Sequence, residues 1–126
     1  IHPGMDHEQV GQFLDKGFEQ AGIDGFQRTL HFYMPGGEIP QDDRFVKLCL
    51  EERERQFGIK SDPQPFDASC EQCFRAKEGI QTVICGPGDI AQAHTVGEFT
   101  WEKQVRDAVS LYERIIDRVL YKTNYI

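Results

Sequence analysis

The sequence predicts an α/β fold. Apolar residues recur at spacings of three and four over about residues 6–21, 41–57 and 100–121, which is typical of amphipathic helices. Two runs of apolar and β-branched residues, 27–33 and 80–85, predict strands. Because helices alternate with strands along the chain, we expect helices packed on a sheet. Two strands make a poor sheet, so we expect further short strands or neighbours supplied by another part of the protein.

The first predicted helix has well-marked ends. Asp6 is a plausible N-cap, Gln9 stands three residues later as in a capping box, and Gly22 follows the last turn. The apolar stripe of this helix comprises Val10, Phe13, Leu14, Phe18 and Ala21. The Pro- and Gly-rich segment Met34–Pro40 then predicts a linker.

The other helices are predicted from apolar periodicity, charged runs and capping residues. In the second, the charged run 51–55 predicts a solvated face, and Phe45, Leu48, Cys49 and Leu50 supply the buried side. A short helix is predicted over Cys70–Lys77. The last helix has the longest apolar periodicity, with Thr100 as its expected N-cap.

Composition and charge exclude several classes of function. The chain has 126 residues, with 14 basic against 21 acidic side chains and a net charge of -7. No basic stripe is present for a nucleic acid or for an anionic membrane surface, and no apolar run reaches the ~20 residues of a membrane span. Four scattered cysteines without a secretory signal predict reduced thiols in the cytoplasm. The chain begins with Ile1 rather than Met, so we expect a processed product or a fragment.

Two sequence features after the second predicted strand are candidates for chemistry. Gly86-Pro87-Gly88-Asp89 predicts a type II turn. Alternatively, the free backbone N–H groups of this segment bind an anion. His94 follows in a polar loop, where its imidazole is either a metal ligand or a surface residue. If it is a ligand, Asp89 or Glu98 is expected to hold its second ring nitrogen.

Cys70 and Cys73 form a C-x-x-C motif with three interpretations. At a helix N-terminus such a pair is a redox dithiol, and in a zinc site it supplies two of four ligands. The third interpretation, two structural thiols, agrees with the absence of a second C-x-x-C.

The segment Gly79–Phe99 resembles the C-terminal signature of the zinc aminoacylases, the family of acetylornithine deacetylase, succinyl-diaminopimelate desuccinylase and glutamate carboxypeptidase. The shared pattern is a strand, Gly-Pro-Gly, Ala-His, and a Glu four residues after the His, followed by a long amphipathic helix. The resemblance implies a partial chain of a two-domain metallohydrolase. Residues 1–36 would end a ferredoxin-like dimerisation domain, and residues 37–126 would be the C-terminal portion of the α/β catalytic domain.

The resemblance also implies roles for particular residues. His94 matches the last metal ligand of the family, with Asp89 and Glu98 as the carboxylates that support it. The expected substrate-binding residues are Ser69, Cys70, Glu71, Gly86 and Gly88. No catalytic residue of the family falls in this chain.

The implied function is that of a C-terminal fragment of a co-catalytic zinc amidohydrolase, either an N-acyl amino acid deacylase or a small-peptide metallopeptidase. The parent would hold two zinc ions, with cobalt or manganese as alternatives. We expect the fragment alone to bind no metal tightly and to be inactive. Its expected partners are the N-terminal half of the same enzyme, a second copy in a homodimer, and a small acylated substrate, in the cytoplasm. Two alternatives are a thiol or metal-binding module built on Cys70 and Cys73, and a non-catalytic interaction domain.

Overall fold

The structure, a computed structural model, describes residues 4–121. The first three residues of the predicted dimerisation domain and the last five of the predicted catalytic domain lie outside this range. Within it the chain forms four α-helices and one turn of 3₁₀ helix. These are α1 (His7–Gln20), α2 (Arg44–Phe57), α3 (Gln72–Lys77), the 3₁₀ turn (Ile90–Gln92) and α4 (Glu102–Tyr121).

The predicted α/β fold is wrong. Residues 4–121 contain no strand or sheet, so neither an α/β catalytic layer nor the end of a ferredoxin-like domain is present there. Among the described residues, none of residues 27–33 or 81–85 forms a backbone–backbone hydrogen bond. The apolar and β-branched pattern of these segments is a local preference, whereas a strand requires a neighbouring strand to receive its hydrogen bonds. The described residues supply no such neighbour.

Helix α1 confirms its predicted capping box. The backbone N–H of Gln9 donates to Oδ1 of Asp6 at 2.8 Å, and the N–H of Asp6 donates to Oε1 of Gln9 at 3.2 Å. Gly22 follows with a φ of +67°, a conformation that costs glycine little. Residues close in sequence therefore define both ends of this helix.

Helices α2 and α4 begin later than predicted. Helix α2 begins at Arg44 because the side chain of Asp43 accepts the N–H of Phe45 at 2.7 Å. Helix α4 begins at Glu102, so the prediction of Thr100 as its N-cap is wrong. The side chain of Gln104 turns back instead, and its Oε1 accepts from the Trp101 N–H at 3.3 Å.

The chain divides into two compact units. The first comprises Asp67–Thr82 together with the described part of Ile1–Ile39. In it, the segment after α1 folds back onto that helix, because Arg28 donates to both carboxylate oxygens of Asp15, at 3.1 and 3.0 Å. The hydrogen bond from Arg28 lowers the pKa of Asp15. Gly11 is buried beneath the guanidinium, and a Cβ there would lie 2.5 Å from an Arg28 nitrogen.

The second unit, Pro40–Phe66 with the described part of Val83–Ile126, has its core between α2 and α4. Among the helices of residues 4–121, these two form the one pair in contact. The buried cluster at this contact consists of Leu48, Cys49, Leu111 and Ile115, flanked by Phe45, Val83 and Val119. The predicted buried side of α2 is therefore confirmed at Leu48 and Cys49.

One charged residue is buried with this core. Glu52 is only 3% exposed, so the prediction of a solvated face over 51–55 is wrong at this position. Arg118 of α4 donates to Glu52 at 2.9 Å and to Glu51 at 2.8 Å, and Arg55 donates to Glu52 at 2.8 Å. Two cations therefore compensate for the desolvation of the Glu52 carboxylate. The hydrogen bonds to Glu51 and Glu52 raise the pKa of Arg118.

We expect Glu52→Ala to lower the free energy of unfolding by about 3 kcal/mol, because it leaves Arg118 packed at the helix contact without its buried partner. Glu51→Ala is the matched control: this carboxylate is exposed, and its loss should cost less than about 1 kcal/mol. Urea denaturation followed by circular dichroism measures both. Equal losses in the free energy of unfolding for the two variants would show that the burial of Glu52 does not increase its contribution to stability.

The core also contains a cysteine thiol with a raised pKa. Burial raises the pKa of Cys49 to about 11, and the nearby Cys85 adds to the shift. Since the unfolded thiol titrates near 9, the folded state holds the proton more tightly between pH 9 and 11, and stability must fall across that window.

We therefore expect the wild type to lose roughly 2 kcal/mol more stability between pH 8.5 and 11 than Cys49→Val, whose side chain does not ionise. Urea denaturation at a series of pH values provides the measurement. Parallel stability curves for the two proteins would contradict the assignment of this titration to Cys49.

Candidate functional site

The candidate site lies in the second unit, around the predicted Gly-Pro-Gly turn. Gly88 has a φ of +93°, as the third position of a type II turn requires. A Cβ at Gly88 would lie 3.3 Å from Oγ1 of Thr100, so a larger residue there would press on the segment before α4. Just before the turn, the hydroxyl of Tyr112 donates to the carbonyl of Cys85 at 2.7 Å. Helix α4 therefore positions the start of the turn directly.

Asp89 connects the turn to the next element. Its Oδ1 accepts the backbone N–H of Ala91 at 2.9 Å and so caps the 3₁₀ turn. Thr95 closes the far end of that turn, since its hydroxyl donates to the carbonyl of Gln92 at 2.8 Å. The loop is thus ordered by its own short polar side chains.

His94 has an unusual backbone conformation. Its φ is +62°, and it is the one non-glycine residue with a positive φ in residues 4–121. The N–H of His94 donates to Oε2 of Glu98 at 2.9 Å, which holds the backbone in this left-handed region. The imidazole is exposed and has no hydrogen-bond partner among the described residues. The Glu98 carboxylate therefore contacts the backbone of His94 rather than its imidazole. A role for Asp89 or Glu98 at the imidazole stays a prediction.

An open depression of about 430 Å³ lies in the second unit, at the turn. Four residues that the sequence pointed to line it together: Gly86, Gly88, Asp89 and Glu98. Ala93 also lines it, whereas His94 does not. Four large apolar side chains are among the other lining residues, namely Phe66, Ile84, Ile90 and Phe99. Sequence reasoning missed these four, although three of them lie in the segment that carries the motif.

The remaining predicted substrate-binding residues, Ser69, Cys70 and Glu71, belong to the first unit. Glu71 occupies the N-cap position of α3 without a side-chain capping bond. Cys73 is buried, and its thiol donates to the carbonyl of Cys70 at 3.1 Å. A buried thiol with an internal acceptor is typical of a structural cysteine, which favours the third interpretation of the C-x-x-C motif.

The described residues do not complete a metal site. Within residues 4–121, no group of three or more His, Cys, Asp or Glu side chains is placed to hold a metal ion. A catalytic zinc ion usually has about three protein ligands. His94 supplies one imidazole, so zinc at this position requires ligands from other residues.

Comparisons with family models, curated proteins and solved structures found no match for this chain. Of the helices between residues 4 and 121, none combines the length and apolarity needed to cross a membrane.

We expect His94→Gly to raise the free energy of unfolding by roughly 0.5–1 kcal/mol, because glycine adopts a positive φ without the steric cost that histidine bears. Thr95→Gly is the neighbouring control and should lower stability by about 1 kcal/mol, since its φ is not positive and its hydroxyl bond is lost. Chemical denaturation compares the two variants. A loss of stability in His94→Gly as large as that in Thr95→Gly would contradict the strained conformation.

Proposed function

We propose that this chain is the C-terminal part of a co-catalytic zinc amidohydrolase, in which His94 is one of the metal ligands. The reaction would add water across an amide bond of an N-acyl amino acid or small peptide, releasing a carboxylate and an amine. The residues 79–99 resemble the zinc aminoacylases over a run with fixed internal spacings, and this resemblance supplies the reaction class.

The observation that carries the proposal is the backbone of His94. A non-glycine residue at positive φ costs about 1–2 kcal/mol, and such residues concentrate at functional sites. Here the Glu98 carboxylate, four residues later, accepts the His94 N–H and fixes this backbone, and the imidazole is exposed.

Zinc at such a site lowers the pKa of a bound water and polarises the amide carbonyl. This chain would contribute the imidazole of His94, whose backbone Glu98 holds, and a depression lined by the Gly86–Gly88 turn. The other ligands and the general base would come from the N-terminal half of the same enzyme. We include in this proposal the homodimer, the cytoplasmic location, and cobalt or manganese as alternative metals.

The test isolates the native protein through a tag on this chain and measures its metal content and its hydrolysis of N-acetyl amino acids. We expect two zinc ions per active unit. His94→Ala should lose one of them and should reduce turnover by at least the roughly 10–100-fold that follows loss of a ligand's supporting partner. His31→Ala is the control, because His31 is an exposed histidine of the first unit.

A His94→Ala protein that keeps two metal ions and normal turnover would refute the ligand assignment. A native protein that contains no zinc and hydrolyses no acylated amino acid would refute the proposed function as a whole.

A further inference from the structure

Helix α4 carries two apolar stripes, and only one of them is covered by another helix. The first stripe, which includes Leu111 and Ile115, is buried against α2, and α2 is the one helix of residues 4–121 that contacts α4. The second stripe lies roughly a quarter turn further around α4. We call it the outer stripe; its five members, each between 38% and 65% exposed, are Val105, Val109, Tyr112, Ile116 and Leu120.

The spacing of the outer stripe is typical of a helix that pairs with a second helix. Val105, Val109, Tyr112 and Ile116 follow one another at intervals of four, three and four residues, as the a and d positions of a heptad repeat do. A solvated helix face normally carries polar side chains, whereas a contiguous exposed apolar stripe indicates a protein–protein contact. From Val105 to Leu120 the stripe extends over roughly 22 Å, at 1.5 Å per residue, so one partner helix of similar length would cover it.

The charges beside the outer stripe indicate which partner fits. On the side away from α2, the stripe is flanked by Arg106 and Glu113, which are exposed, opposite in charge and seven residues apart. Arg106 forms an ion pair with Glu102 on its own helix. Within residues 4–121 no ion pair involves Glu113. Since residues seven apart on one helix are two turns distant, Arg106 and Glu113 complement each other only between two helices.

We infer that the outer stripe of α4 is a homodimer interface, in which it packs antiparallel against the same stripe of a second copy of this chain. In that alignment Val105 faces Ile116 of the second copy, and Val109 faces Tyr112 of the second copy. The interface lies in the second unit, whereas the sequence resemblance assigned dimerisation to residues 1–36. The inference uses the exposure and spacing of α4 alone and does not rest on the proposed function.

The flanking charges favour the antiparallel alignment over the parallel one. In the antiparallel pair, Arg106 lies beside Glu113 of the second copy, and the two-fold symmetry forms this ion pair twice. In a parallel pair, Arg106 would lie beside Trp101 of the second copy and Glu113 beside Ala108, so neither would meet an opposite charge. A second copy in antiparallel orientation therefore matches both the apolar stripe and its charged edge.

Sedimentation equilibrium of the 126-residue chain over a series of concentrations tests the interface. We expect a mass that rises toward twice that of the single chain. Ile116→Glu should weaken the dimer by at least roughly 100-fold, because each copy loses an isoleucine buried at the interface. Ser110→Glu is the matched control: it adds the same charge at an exposed position of α4 outside the outer stripe, so the dissociation constant should not change. Circular dichroism verifies that both variants keep the wild-type helical content.

An exchange of the two flanking charges tests the antiparallel alignment. Arg106→Glu alone should weaken the dimer roughly tenfold, because it converts both ion pairs between the copies into repulsions. Adding Glu113→Arg to that variant should restore the association. The restoration would arise between two copies, since these positions are two turns apart within one helix.

Three results would overturn the inference. The first is a single-chain mass at every concentration, which would leave the outer stripe to another part of a longer protein or to a different partner. The second is a dimer that Ile116→Glu does not weaken, and the third is a charge exchange that fails to restore association. Because the measurement requires neither zinc nor substrate, these results are independent of the proposed hydrolytic function.

Discussion

The contact between α2 and α4 is the interaction on which the second unit depends. It buries Leu48 and Cys49 against Leu111 and Ile115, and the pairing of Glu52 with Arg118 orients the two helices within that apolar layer. A buried carboxylate is costly unless it is paired, and Arg118 supplies one of its partners from α4. Helix α4, once placed, holds Cys85 through the hydroxyl of Tyr112, and the Gly-Pro-Gly turn begins at the next residue. The geometry of the candidate site thus follows from the packing of the two helices.

The site itself combines a rigid anchor with a strained loop. The turn is fixed by its glycine conformation, and the 3₁₀ turn after it is closed by Asp89 and Thr95. These local bonds lead to His94, where Glu98 stabilises a left-handed backbone that is uncommon for residues other than glycine. The imidazole of His94 is exposed, and the depression around the turn has apolar walls and two carboxylates, Asp89 and Glu98.

The outcome of the sequence predictions depends on the range of the interactions behind them. The capping box of Asp6 and Gln9 and the turn at Gly88 involve residues within a few positions of one another; the structure confirms the capping box, and the φ of Gly88 agrees with the predicted turn. The strands over 27–33 and 80–85 required partners distant in sequence, and none is present among residues 4–121. The N-cap prediction of Thr100 is wrong because helix α4 begins at Glu102, so Trp101 directly precedes the helix, and the Gln104 side chain accepts the Trp101 N–H. The motif containing Gly86, Gly88, Asp89 and Glu98 was found from sequence, and the structure places these four residues around one depression.

The sequence by itself predicted the four helices, though not the first residue of each, and the positive φ of Gly88. Helical periodicity, capping residues and Pro-Gly pairs act mainly through atoms that are near in sequence. The tertiary structure alone decided that Glu52 is buried, that His94 has a left-handed backbone, and that Phe66 joins Ile84, Ile90 and Phe99 around one space. These features depend on which distant segments meet, and the energy of such contacts belongs to pairs of residues that no local pattern connects.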